Sequence, residues 1–207
     1  MTLNKKNDKM NSKNITIIIN LMIVILEIIG FILVFNELGI TSLEYYTEDS
    51  NLLLLISSII FLIYISKNDE LPEWFKSFRF IAVVSTTLTL IIVLTVLSWT
   101  TDLGLYHLLF NGSMLYHHTL CPLLAIISFS LLERYETLNT IKGLYFTLIY
   151  AAIMIVLNVL KIVEGPYPFL LVYKQPVVHS ILWTVVILAI TYAIALILKK
   201  VNGKVII

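Results

Sequence analysis

Two short segments of this 207-residue chain combine hydroxyls, carboxylates and imidazoles: Tyr46-Thr47-Glu48-Asp49-Ser50-Asn51 and Tyr116-His117-His118-Thr119. A threonine hydroxyl becomes a nucleophile when a nearby base takes its proton, and imidazole, which titrates near neutral pH, suits that task. Thr47 is therefore a candidate nucleophile and His117 or His118 a candidate general base. Adjacent helical residues point about 100° apart, so one imidazole of the two faces a given partner. Asp49 is a candidate for orienting that ring, and Ser50, Asn51 or Asn158 for donating to an oxyanion. Each residue also has a purely structural reading. Thr47 can cap a helix whose dipole favours Glu48 and Asp49 in the first turn, and a histidine can simply be hydrogen-bonded at a membrane interface.

Further along, Lys161 can meet an anionic headgroup, pair with Glu164, or snorkel to the interface. It precedes the segment Glu164-Gly165-Pro166-Tyr167-Pro168-Phe169, from which Tyr167 joins Ser50, Asn51, Asn158 and Lys161 as a substrate-contact candidate. Glu27 and Asn158 lie within apolar runs, where interhelical hydrogen bonding is the default and a proton or ion path the alternative. Ser85-Thr86-Thr87-Leu88-Thr89 is expected to bond back to its own helix or to neighbours. No H-E-x-x-H, H-x-x-x-H or C-x-x-C spacing exists, so no metal is expected. Cys121 stands alone, and phosphate-loop and dinucleotide glycine patterns are absent, so no cofactor is expected either. Asn111-Gly112-Ser113 is a glycosylation sequon only where the host glycosylates.

The elements that must position these residues are membrane helices. Apolar residues make up 59% of the chain and charged residues 13%, with a mean hydropathy of +0.94, against about 25% charged in soluble domains. The net charge of +1 offers no basic surface for nucleic acid. Apolar runs predict an all-α, single-domain bundle of six transmembrane helices, spanning about 15–35, 47–66, 79–99, 114–132, 144–162 and 178–198, between tails 1–14 and 199–207. Lys and Arg accumulate on the cytoplasmic side. Lys5, Lys6, Lys9, Lys13, Lys67, Lys76, Arg79, Arg134, Lys142, Lys199, Lys200 and Lys204 share one side, 12 of the 14 basic residues, so both termini are expected in the cytoplasm. Leu52–Ile65 and Thr119–Leu132 are apolar runs of only 14 residues each, roughly 21 Å against the roughly 30 Å needed. Each must extend through its polar neighbours, Tyr46–Asn51 and Asn111–His118, both on the outer side. An outward-opening polar pocket in the outer half of the bilayer is the expected result.

Three segments, Tyr45-Tyr46-Thr47-Glu48-Asp49-Ser50-Asn51-Leu52, His117-His118-Thr119-Leu120-Cys121-Pro122 and Gly165-Pro166-Tyr167-Pro168-Phe169-Leu170, resemble in order the landmarks of the androgen-induced transmembrane protein family and its bacterial relatives. Animal members are six-helix threonine hydrolases acting on fatty acid esters of hydroxy fatty acids. The resemblance implies a nucleophile at Thr47 and a base at His118 or His117, four or five residues before Pro122. The segment after Thr47 is more acidic than the animal pattern. The expected function is thus an intramembrane hydrolase of a lipid ester, with membrane lipids as partners. The alternative is a non-enzymatic protein that binds or transports an amphiphile or ion through the same pocket. Abundant Ile, Asn and Lys fit an AT-rich bacterial genome and a plasma-membrane location.

Overall fold

The computed structural model of the protein describes residues 2–67 and 69–202, with side chains from Ser12 onward and excepting that of Pro168. Among these residues every regular element is helical: α1 (Thr2–Leu38), α2 (Tyr46–Lys67), α3 (Glu73–Thr100), a short α4 (Gly104–Phe110), α5 (Leu115–Leu132), α6 (Thr140–Val159) and α7 (Val177–Asn202). All but α4 belong to the six helical segments long and apolar enough to cross a membrane, the first of which continues through a 3-10 turn to Glu44. The chain is a multi-pass helical membrane protein.

Both short apolar runs recruit their polar neighbours, as the length argument requires: α2 begins at Tyr46 and α5 at Leu115. Helix continues beyond the apolar runs as far as the chain is described, from Thr2 at one end and to Asn202 at the other. Lys204 and the side chains of Lys5, Lys6 and Lys9 lie outside the described residues. The fifth span ends at Val159 rather than residue 162. There the Ile162 N–H donates to the Leu157 carbonyl, and Lys161 adopts a left-handed φ of 58° that terminates the helix.

The bundle is built around α3, whose apolar window is 78% buried while those of the other spans are 22–44% buried. Small and hydroxyl side chains explain its centrality, because Ala82, Ser85, Thr86 and Thr89 let neighbouring backbones approach closely. The hydroxyls of Ser85, Thr86, Thr87 and Thr89 return to carbonyls three or four residues earlier, so they cost little in an apolar setting. Helices α1, α2 and α5 pack on one another and α2 and α5 pack on α3, while α6 and α7 cover another side of α3. Gly143 permits the second of these contacts, since a Cβ there would lie 2.8 Å from the Ala195 Cβ. Large apolar side chains remain exposed along the outer faces, including Ile18, Ile25 and Ile32 of α1 and Ile181, Leu182 and Val185 of α7. A hydrocarbon solvent accounts for that surface.

Candidate functional site

The first turn of α2, the start of α5, α4 and the 163–176 connection meet at one end of the bundle. Local sequence sets the geometry of α5. Pro122 has no N–H, and the segment before it, Leu115–Leu120, is wound as a π-helix. In that register the carbonyl of His117 would look for the N–H of residue 122, which a proline lacks. The Asn51 Nδ2 supplies the missing donor at 3.0 Å and also bonds the Thr47 carbonyl at 2.8 Å. Helices α2 and α5 are thereby fixed against each other at the level of the candidate nucleophile.

The Thr47 Oγ1 lies 3.4 Å from the His118 Nε2, and both residues are buried. The other ring nitrogen of His118, Nδ1, is 2.6 Å from the Leu108 carbonyl of α4. A carbonyl only accepts, so Nδ1 carries the hydrogen and the neutral ring turns a free Nε2 lone pair toward the threonine. That is the tautomer a general base requires. The separation is at the long end of hydrogen bonding, as is common before substrate closes such a contact.

The Tyr167 hydroxyl accepts from the Thr47 N–H at 3.4 Å. Burial pushes this phenol up from its ordinary value, so it keeps a proton to donate. Rings around it form a wall, with Tyr167 stacked on Phe169 at 5.2 Å and Phe169 against Trp183 at 5.6 Å. From Thr47 a cavity of about 70 Å³ runs between α3, α6 and α7, bounded chiefly by Leu88, Ile92, Val93, Leu170, Ile187 and Leu188.

The remaining sequence candidates are placed differently. His117 turns away from Thr47 and puts Nδ1 2.6 Å from the Glu48 Oε2. Glu48, not the half-buried Asp49, is thus the α2 carboxylate that meets a histidine. The Ser50 hydroxyl donates to the Thr47 carbonyl and contacts the Thr89 hydroxyl, and both recorded bonds of the Asn51 amide go to backbone. Asn158 ties down the following connection through the Val163 carbonyl and the Val172 N–H. Lys161 is exposed, with its ammonium 5.5 Å from the centre of the Tyr173 ring. Ser50 and Asn51 thus hold the Thr47 carbonyl, and the recorded bonds of Asn158 go to the 163–176 connection. Among the described residues no group of three or more His, Cys, Asp or Glu side chains is arranged to hold a metal ion.

A second polar cluster, absent from the sequence reading, lies toward the other end of the bundle. Arg79 is fully buried, and all five of its N–H donors are used: one each to Ser57, Ser58 and Asn20, and two to Glu133. Arg79 is one of the cations that mark one side of the chain, and the positive-inside rule assigns sides and not partners. The sequence signal available was a matching pair, one Arg and one Glu at the margins of apolar runs.

No family model, no curated protein and no solved structure matches the chain.

Proposed function

We propose that the protein is an intramembrane lipid-ester hydrolase in which Thr47 is the nucleophile and His118 the general base. The observation that carries this reading is the Thr47–His118 contact at 3.4 Å, with the base held in the accepting tautomer by the Leu108 carbonyl. The resemblance of the three sequence landmarks to threonine hydrolases supplies the reaction class. The cavity beside Thr47 is lined chiefly by apolar side chains, which favours an aliphatic group next to the hydroxyl over a polar one.

In this reaction the Thr47 Oγ1 attacks the ester carbonyl carbon as its proton passes to the His118 Nε2. The resulting oxyanion faces the Tyr167 hydroxyl, the donor beside Thr47 that remains protonated. Collapse expels the alcohol, which takes the proton from His118 and leaves an acyl-Thr47 ester. Water then attacks that ester, His118 takes its proton and returns it to the Thr47 oxygen, and the fatty acid departs. With both termini cytoplasmic, as the Lys and Arg distribution favours, the site lies in the outer half of a plasma membrane. Acyl chains would arrive from the leaflet and water from outside.

The test is labelling by a fluorophosphonate probe in membranes, comparing wild type with Thr47→Ala, Thr47→Ser and His118→Ala at matched expression. Labelling should vanish in Thr47→Ala, persist in Thr47→Ser, and slow by about 10²–10⁴-fold in His118→Ala. Absent labelling of folded wild type would transfer the site to the binding of an amphiphile.

A further inference from the structure

The other face of the same helical junction holds a group of ionisable side chains that the hydrolase reading does not use. Glu27 of α1, Glu48 of α2 and His117 of α5 converge there, with the imidazole between the two carboxylates. The His117 Nδ1 lies 2.6 Å from the Glu48 Oε2, and its Nε2 lies 3.3 Å from the Glu27 Oε2. Side-chain exposures are 1% for His117, 0% for Glu27 and 8% for Glu48. The helix α1 closes the site from behind. Its Phe31 ring tilts against the imidazole with centroids 4.7 Å apart, and a Cβ at Gly30 would lie 2.3 Å from Nε2. By strict geometry both Glu27 oxygens and the His117 Nε2 lack a hydrogen-bond partner among the described residues, and the donor that comes nearest to Glu27 is the weak one of the Cys121 thiol.

The proton count does not close with ordinary charge states. The Nδ1 of His117 must donate, because the Glu48 carboxylate beside it only accepts. A neutral ring then has a bare Nε2 facing Glu27, and an ionised Glu27 also only accepts. Two lone pairs 3.3 Å apart in a buried site repel each other. One proton held between them replaces that repulsion with an attraction, whether it rides on Nε2 or on the carboxyl.

We propose that Glu27, His117 and Glu48 form an intramembrane proton-binding site, which holds one proton between the His117 Nε2 and the Glu27 Oε2. Other ionisable groups facing it are Asp49 beside Glu48 on α2, and His118 and Cys121 on α5 itself. Glu27 is the only charged side chain of α1 recorded in contact with His117, and α3 sends its buried cation, Arg79, to Glu133 instead. In α4, His107 bonds Asn111. Glu48 is the most exposed member and sits in the first turn of α2, so it is the group through which the proton exchanges. The bound proton joins α1 to α2 and α5.

The full-length protein labelled with ¹⁵N-histidine, in detergent or nanodiscs, decides the matter. His117 resonances are assigned by their loss in His117→Gln, and infrared spectra record carboxylic-acid carbonyl stretches. A protonated Nε2 or a Glu27 carboxylic-acid band is expected in wild type, with that signal gone in Glu27→Gln, whose amide can donate to Nε2 without a bound proton. If Glu27→Gln does not fold, Glu27→Asp replaces it, and the signal should shift rather than vanish. A bare Nε2 with no carboxylic-acid band sensitive to Glu27, throughout the pH range in which the protein stays folded, overturns the proposal. Neither readout requires Thr47 to be reactive.

Discussion

Consecutive residues of α2 meet consecutive residues of α5: Thr47 faces His118, and Glu48 faces His117. The two contacts diverge because neighbouring side chains on a helix diverge, so one imidazole reaches the cavity side and the other reaches α1. At this scale Tyr167 and Gly30 are the informative positions. Tyr167→Phe removes the hydroxyl beside Thr47 while keeping the ring stack. Ester turnover, or the probe-labelling rate, should fall by about 10²–10³-fold with the thermal midpoint nearly unchanged. Gly30→Ala sets two effects against each other. The helix propensity of alanine would add about 1 kcal/mol, whereas a methyl 2.3 Å from the His117 Nε2 must displace a buried ring. Overpacking of that kind costs about 1–3 kcal/mol, so a lowered thermal midpoint in detergent is expected. Thr47 and the adjacent histidines were legible in the sequence from their chemistry alone. Glu48 and Glu27 as partners of His117 were not, because spacing within one helix does not give its rotation against another.

At the scale of elements, the Arg79 network ties together segments far apart in the chain. Asn20 brings α1, Ser57 and Ser58 bring α2, and Glu133 follows α5. Asn202 of α7 then holds the Phe129 and Glu133 carbonyls. Burial alone would push the Glu133 carboxyl up. The Arg79 charge and bonds from Arg79, Tyr135 and Ser128 outweigh it and hold the group below the ordinary carboxylate value. A carboxylate depressed in the folded state stabilises the fold above its unfolded value, and that stabilisation is lost as pH falls through the folded one. Thermal midpoints in detergent should therefore drop on acidification, and Glu133→Gln should show a weaker acid dependence. Glu133→Ala leaves Arg79 buried and unpaired, at a cost of about 3–5 kcal/mol. An unchanged midpoint in Glu133→Ala would show that the pair contributes nothing. Span positions and the need to lengthen two of them were legible from apolar run lengths. This network was not, because each of its members reads locally as an ordinary helix-end or helix-face residue.

At the scale of the whole molecule, the candidate site and the Arg79 network mark opposite ends of the bundle. The α1–α2, α3–α5 and α6–α7 connections gather at the Thr47 end, while the α2–α3 and α5–α6 connections lie toward the other. Orientation therefore decides which solution reaches Thr47. The basic residues predict that the Thr47 end faces outward. Cys121 is the only cysteine in the sequence and it is buried, so single introduced cysteines report on topology without background. Asp102 and Glu70 are both exposed, in the α3–α5 and α2–α3 connections respectively. A membrane-impermeant maleimide applied to intact cells should label Asp102→Cys and spare Glu70→Cys, with both labelled after permeabilisation. The reverse pattern would place Thr47 in the inner half of the bilayer. The Thr47–His118 contact would survive that reversal, but the proposed hydrolysis would then draw its water from the cytoplasm and its ester from the inner leaflet.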